Sequence, residues 1–441
     1  MHSIRVEHRS GAAPAAGPRR RLRRLLALPL LLLAACSGSY DELELLPPPI
    51  LYSSGALDPF AGIDSADYAL LDELLYVTGR RPAAAGEPQA HYADARAPVM
   101  RAGVARVKVD PPFRDLDEIR AATVMGEDGA ARTISVASVE EIGVLPAGLT
   151  DFHALSAQDP AVAAAGEAFA ARVDQHLAVS GRRDVFIFVH GYNVNFEYPL
   201  LVSREWQHYL GDAGAFIAFA WPATPSRFAY FKDIETAEAS VRDLRVLLDF
   251  LRDRTQVERI HLIGYSAGSR LVLRTLQQTA LMHAGGAAAP PLGEVILIGS
   301  DVDPKLFLQV LADGALEVVE RLMVYMSGTD SALSMSALLL DRRPLGRSWS
   351  PEEAPAEIVA RLAELDTLEL IDVTASENVD AGNGHWYFRA SPWVRSDLVG
   401  ALLSREPAAR RGLTRPPGEA RWRFPEDYPA RLEAAVKTWT P

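Results

Sequence analysis

The 441-residue sequence predicts an α/β fold, a mostly parallel central sheet with helices on both faces and an antiparallel N-terminal edge. Three observations predict it. Short apolar runs recur at 185–189, 215–220, 259–263, 294–298, 321–326 and 368–373. Unbroken runs of this length suit parallel strands covered on both faces, and helix-like stretches separate most of them. The run 259–263 also leads through Gly264-Tyr265-Ser266-Ala267-Gly268 straight into a helical pattern at 269–276. A serine lifted above a sheet edge on so tight a strand-to-helix turn needs small residues two positions either side, and both are glycine.

The elements follow in chain order. Seven arginines lie among the first 24 residues, followed by the apolar stretch 25–35 and then Cys36. That stretch is too short for a permanent membrane span and ends in small residues, the signature of an export signal over 1–35. Leu33-Ala34-Ala35-Cys36 resembles the lipobox of bacterial lipoproteins, which implies that Cys36, the only cysteine in the chain, is lipidated and begins the mature protein. Ser37 after it, rather than aspartate, implies by the same resemblance an outer-membrane anchor facing the periplasm. A lone cysteine excludes an internal disulfide framework. Losing residues 1–35 removes seven arginines and one glutamate, so the formal charge moves from −12 to −18. So acidic a body lacks the basic face that a nucleic-acid partner needs.

Residues 36–66, with Pro47-Pro48-Pro49 and many Ser and Gly, read as a tether that holds the folded body off the membrane. The alternative is an ordered arm, which Leu43, Leu45, Leu46, Ile50 and Leu51 allow. Strands at 72–78 and 103–109 suit the antiparallel edge, and 160–177 reads as a helix with Phe169, Val173 and Leu177 on its apolar face. The catalytic domain is expected over 67–405 as one unit, with an insertion at about 111–182 that could shield a site, and 406–441 as a C-terminal extension.

Ser266 needs a base to take its proton and an acid to orient that base. In folds with this elbow the partners follow in the order Ser, acid, His, each after a later strand. Only His283 and His385 follow Ser266, and His283 sits on or just beyond the elbow helix, which leaves His385 as the base. Asp330, after the strand at 321–326, is the favoured acid because Gly328 gives its loop room to turn, with Asp301 and Asp303 as rivals. The oxyanion donors are expected from the backbone N–H of Ala267 and, in the loop His190-Gly191-Tyr192-Asn193, of Tyr192, with Asn193 the alternative. His190 reads as structural. Tyr192, Phe196, Trp221, Tyr230, Phe231 and Trp386 are candidates for lining an apolar acyl pocket, with ordinary packing the alternative. Metal ligation has no support, since His190, His208 and His261 lack His-Glu-x-x-His spacing, and no lysine follows the glycines to make a phosphate loop. No cofactor is called for.

From about Leu74 to Phe388 the chain resembles the α/β-hydrolase superfamily, and more narrowly a bacterial family of α/β hydrolases of unknown function. The resemblance rests on Phe188-Val189-His190-Gly191-Tyr192-Asn193, Trp221-Pro222, Tyr230 with Asp233, Asp330-Ser331-Ala332-Leu333 with Ser336, and Gly384-His385-Trp386-Tyr387. It implies the α/β-hydrolase fold and a Ser266-His385-Asp330 triad, and it strengthens Asp330 over its rivals. The family commonly has His and Met beside the serine, where this chain has Tyr265 and Ala267. That departure leaves the Ala267 N–H in place and bears on substrate fit. The expected activity is serine hydrolysis of an ester or related acyl bond in a small molecule or lipid, with amide, thioester and peptide bonds also open. A body that keeps the scaffold only to bind an envelope partner or lipid is the alternative.

Overall fold

The computed structural model describes residues 40–61, 73–87, 89–125, 131–347, 355–376, 378–379 and 381–439. The expected signal, Cys36, and residues 37–39 and 62–66 of the expected tether lie outside the described residues. The chain forms β1 (Glu42–Leu45), β2 (Glu73–Pro82), β3 (Tyr92–Asp110), α1 (Leu116–Arg120), β4 (Arg132–Val144), α2 (Pro160–Ser180) and β5 (Asp184–Val189). Then come α3 (Glu197–Tyr209), β6 (Ala215–Ala220), α4 (Tyr230–Ala239), α5 (Val241–Arg254), β7 (Arg259–Tyr265) and α6 (Ala267–Ala284). The C-terminal half adds β8 (Leu292–Ile298), α7 (Pro304–Ala312), β9 (Val319–Met326), α8 (Ser331–Leu340), α9 (Ala356–Ala363) and β10 (Leu368–Asp372). It ends with α10 (Tyr387–Ala390), α11 (Pro392–Ser404), β11 (Arg421–Arg423) and α12 (Tyr428–Val436).

These strands make one sheet in the order β1-β4-β3-β2-β6-β5-β7-β8-β9-β10-β11. From β2 across to β11 neighbours pair in parallel, and β3, β4 and β1 continue the sheet antiparallel. Every residue of β5 and β6 is buried, as strands covered on both faces require. The chain leaves β5 for β6 on one side and crosses to β7 on the other. That reversal makes the carboxyl ends of β5 and β7 the switch point of the sheet, the usual ligand position in sheets of this kind. α2, which feeds β5, starts where Asp159 accepts from the Ala161 N–H and Pro160 fills the first turn, and it buries Phe169, Val173 and Leu177 as its sequence predicts.

Three segments differ from expectation. Residues 40–61, assigned to a tether, belong to the folded body: β1 pairs with β4 in register Glu42 to Ser135, and Leu51, Tyr52 and Phe60 are buried. Alternating Leu43 and Leu45 give the arm an apolar side, and Arg389 donates to the Glu44 carbonyl. Residues 111–182 are not an insertion set apart from the sheet, because β4 belongs to its antiparallel part and α2 packs in the core. The C-terminal extension adds the last strand, β11, and buries Leu413, Phe424, Tyr428 and Leu432 in the main core.

Charged side chains gather at the amino ends of the parallel strands, away from the switch point. Arg321 of β9 reaches Glu294 of β8 at 3.5 Å and Glu369 of β10 at 3.6 Å, while buried Arg411 pairs with Glu369 and Asp397. Burial pushes the Glu294 carboxyl from 4.5 up to about 7, with Arg321 opposing the shift. Below pH 4.5 the group is protonated in folded and unfolded chains alike and favours neither. Between pH 4.5 and 7 only the unfolded chain ionises, so stability falls as pH rises through this window. Glu294→Gln should therefore match wild type in urea-unfolding midpoint near pH 4.5 and be more stable at pH 8, by on the order of 1–2 kcal/mol. Arg321 keeps Glu369 and the carbonyls of Arg405 and Glu406 as partners in the variant. A variant equally or less stable at pH 8 would show that folding does not raise the Glu294 carboxyl.

Candidate active site

The last residue of β7 is Tyr265 and the first of α6 is Ala267, so Ser266 alone makes the turn. Its backbone sits at φ 52° and ψ −122°, a conformation that costs a non-glycine residue on the order of 1–3 kcal/mol. The surroundings hold it there. The Ser266 N–H donates to the Ile298 carbonyl at the end of β8 (2.9 Å), and Ser269 Oγ donates to the Gly264 carbonyl (3.0 Å). A Cβ at Gly268 would run into the carbonyl oxygens of Val189 and His190, so the helix start lies directly on the end of β5. The first amides of α6, Ala267 among them, open a helix whose N-terminal N–H groups lack intrahelical partners.

β9 ends at Met326, and its loop brings Asp330 to the N-cap of α8. One carboxylate oxygen, Oδ1, accepts from the Leu333 N–H (2.9 Å), and the other, Oδ2, accepts from His385 Nδ1 (2.6 Å). Both side chains are buried. His385 comes from the loop after β10, where its N–H donates to Asn383 Oδ1 (3.1 Å) and the Tyr265 hydroxyl donates to its carbonyl (3.4 Å). Tyr387 fastens this loop to the sheet by accepting from the Gly299 N–H (2.6 Å) and donating to the Tyr325 carbonyl (2.9 Å).

Serine and histidine sides meet across Gly299, the residue after Ile298. A Cβ at 299 would lie 3.0 Å from His385 Cε1, and the Tyr265 ring centroid is 5.0 Å from that of His385. With Nδ1 committed to Asp330, Nε2 is the nitrogen left to act as base. Among the described residues no hydrogen bond joins Ser266 Oγ to His385; such contacts commonly tighten only when substrate binds. Of the three candidate acids, Asp330 is the one against His385. Asp301 accepts instead from the hydroxyls of Tyr230 and Ser336, and Asp303 caps α7 by accepting from the Lys305 N–H (2.8 Å). His283 lies on α6, 17 residues beyond the elbow, with Nδ1 3.1 Å from the Ala287 carbonyl.

The loop after β5 flanks the serine: a Cβ at Gly191 would lie 3.0 Å from Ser266 Cβ. Asn193 adopts φ 61° and turns its N–H to Asp233 Oδ2 (3.4 Å), away from the oxyanion role, whereas Tyr192 lies between it and Gly191. Asp233 also accepts from the Thr224 N–H (3.1 Å), so one buried carboxylate ties the loops after β5 and β6 together. Burial pushes that carboxyl up, and the two N–H groups pull it back. His190 is structural. Its ring stacks on Trp221, and its nitrogens lie 2.7 Å from the Gly191 carbonyl and 3.1 Å from that of Trp221. Burial, then Arg80, lowers it to about 3, so it is uncharged at neutral pH.

The acyl-pocket candidates separate. Trp221 is fully buried against His190, and Phe196 is buried among Tyr76 and Tyr92, the ordinary packing that was the alternative. Tyr192 and Tyr230 meet edge to face at 5.3 Å beside the elbow, Trp386 is half-buried, and Phe231 is largely exposed. The sequence assigned no supporting role to Tyr387 or Asp233 and did not pair Tyr230 with Asp301 and Ser336. Partners 71 residues apart, such as Tyr230 and Asp301, leave no local pattern. Among the described residues no group of three His, Cys, Asp or Glu is placed to hold a metal, and no helix is long and apolar enough to cross a membrane.

A family described as alpha/beta hydrolase of unknown function (DUF900) matches residues 165–402, a span that contains Ser266, Asp330 and His385. No curated protein matches the chain. A solved structure described as a lipase-esterase related protein from Clostridium acetobutylicum ATCC 824 is 18% identical over 44% of this chain and 75% of its own, with a TM-score of 0.19. A likeness that slight carries no inference.

Proposed function

Because the chain belongs to this family of α/β hydrolases, we propose that it is a serine hydrolase of the bacterial cell envelope, cleaving an ester or related acyl bond through an acyl-enzyme. One observation carries the reading: the buried Asp330–His385 pair, 2.6 Å apart, at the same sheet edge as the strained Ser266 elbow. A structural ion pair has no need of a neighbouring serine held at positive φ.

In the proposed cycle His385 Nε2 takes the Ser266 proton as Oγ attacks the acyl carbon. The resulting oxyanion is stabilised by the N–H groups of Ala267 and Tyr192. His385 then passes the proton to the leaving oxygen, the carbon–oxygen bond breaks, and the acyl group stays on Ser266. Water, deprotonated by the same nitrogen, releases the acid. Asp330 holds the imidazole tautomer that leaves Nε2 free and stabilises the imidazolium that forms. Lipidation of Cys36, with the body facing the periplasm from the outer membrane, completes the reading. The mature protein should label with a fluorophosphonate and hydrolyse a panel of acyl esters of graded chain length. Absence of labelling together with absence of turnover would leave the alternative, a hydrolase-fold lipoprotein that binds an envelope partner or lipid without turnover.

A further inference from the structure

The large apolar side chains exposed among the described residues are seven, and five of them cluster at the catalytic end of the sheet: Phe152 (98% exposed), Leu155 (38%), Phe228 (68%), Phe231 (61%) and Leu338 (76%). Topology places them there. Phe228 and Phe231 follow the carboxyl end of β6, and Leu338 lies on α8, which Asp330 caps. β4 is antiparallel to β3, and β3 to β2, so β4 runs with the parallel strands and its following loop, with Phe152 and Leu155, emerges at the same end. Polar contacts join these positions into one rim. His153 Nε2 lies 2.8 Å from the Pro98 carbonyl, Arg96 of the same strand pairs with Glu235 at 3.2 Å, and Glu235 shares a helix face with Phe231. Tyr230 beside Phe231 reaches Ser336 of α8 at 2.9 Å. Scattered exposed apolar residues are ordinary, but five around one mouth are not a random surface.

The N-terminal arm says what covers this rim. Tyr40 packs on Tyr198 (4.8 Å between rings) and Tyr198 on Trp386 (5.7 Å), the residue after His385, while Asp41 accepts from Asn195 Nδ2 (3.3 Å). The folded body therefore begins at the catalytic end. Cys36 is four residues earlier, a reach of at most about 14 Å of extended chain. With so few residues between them, a lipid on Cys36 brings the catalytic end to the bilayer. We propose that this end docks on the lipid surface, inserting Phe152, Phe228, Phe231 and Leu338 among the headgroups, and that the substrate is an acyl lipid or acylated molecule held in that surface. Arg227, stacked over Phe228 at 5.0 Å, sits where lipid phosphates lie. The inference rests on the lipidation of Cys36 and the hydrolase activity proposed above.

The test uses the mature chain from residue 36 with Cys36→Ser, so that no acyl anchor holds it, and vesicles of phosphatidylcholine. The chain should cosediment with the vesicles. Adding Phe152→Ser, Phe228→Ser and Leu338→Ser should weaken partitioning by at least roughly tenfold, since each removes an inserting apolar side chain. Leu281→Ser with Met282→Ser, at the far end of α6 and also exposed, should leave it unchanged. Turnover of a short water-soluble ester should be the same in all of them. Failure of the Cys36→Ser chain to bind vesicles, or equal binding by the triple variant, overturns the docking surface. Loss of soluble-ester turnover in every form would instead sink the hydrolase reading, and the mass of protein extracted from membranes reports on lipidation separately.

Discussion

Ser266→Ala should abolish fluorophosphonate labelling and lower ester turnover by about 10⁴- to 10⁶-fold in kcat, the loss seen when a triad nucleophile is removed. The elbow makes this a loss of chemistry and not of folding. The strain at φ 52° belongs to the backbone, and alanine carries the same Cβ, so it meets the same strain as serine. The contact that holds the turn, Ser266 N–H to the Ile298 carbonyl at 2.9 Å, is a main-chain bond that survives the change. The hydroxyl itself makes no hydrogen bond among the described residues. A melting temperature within a degree or two of wild type is therefore expected, alongside complete loss of labelling. Labelling of the variant equal to that of wild type would mean that another nucleophile reacts, and the proposed mechanism would fall.

The contrast between what the sequence made legible and what it hid has a physical pattern. The parallel strands were readable because burial on both faces forces an unbroken apolar run, and β5, β6, β7 and β9 begin and end within two residues of expectation. The candidate site was readable for a related reason: Ser266, Asp330 and His385 each follow the carboxyl end of a strand, so topology fixes where each can stand. The edges were not readable. β1 is four residues of alternating Glu and Leu whose partner lies some ninety positions away, and the three prolines after it argue for extended solvent-exposed chain. β11 is Arg421-Trp422-Arg423, too short and too charged to carry a strand signal; what orders it is parallel pairing with β10 and an ion pair between Arg421 and Asp372. The supports of the site were hidden as well. Asp233 looks like any helix-face aspartate until the fold turns the Asn193 and Thr224 amides onto it.

Asp330→Asn should lower kcat by about 10³- to 10⁴-fold while leaving the fold nearly as stable, and the reason lies in how the carboxylate is shared. Oδ1 already accepts from the Leu333 N–H at the start of α8, and Oδ2 accepts from His385 Nδ1. Asparagine has one acceptor oxygen. Keeping the helix cap uses it, which turns the amide NH₂ toward His385 and makes Nδ1 an acceptor. The imidazole proton then moves to Nε2, the nitrogen that must receive the Ser266 proton, so the base is present but in the wrong tautomer. Asp330→Ala would confound the result by also removing the cap, at a cost of about 1 kcal/mol. Asp301→Asn is the informative partner. Asp301 is bound by Tyr230, Ser336 and Arg342 rather than by His385, so its loss should cost about 1–3 kcal/mol of stability as a buried network is broken, with kcat within about tenfold of wild type. Measured together, kcat and unfolding midpoint separate the two aspartates. If Asp301→Asn proved as inactive as Asp330→Asn at full stability, the orienting acid would be Asp301, and the 2.6 Å contact of His385 with Asp330 would have to be broken in the working enzyme.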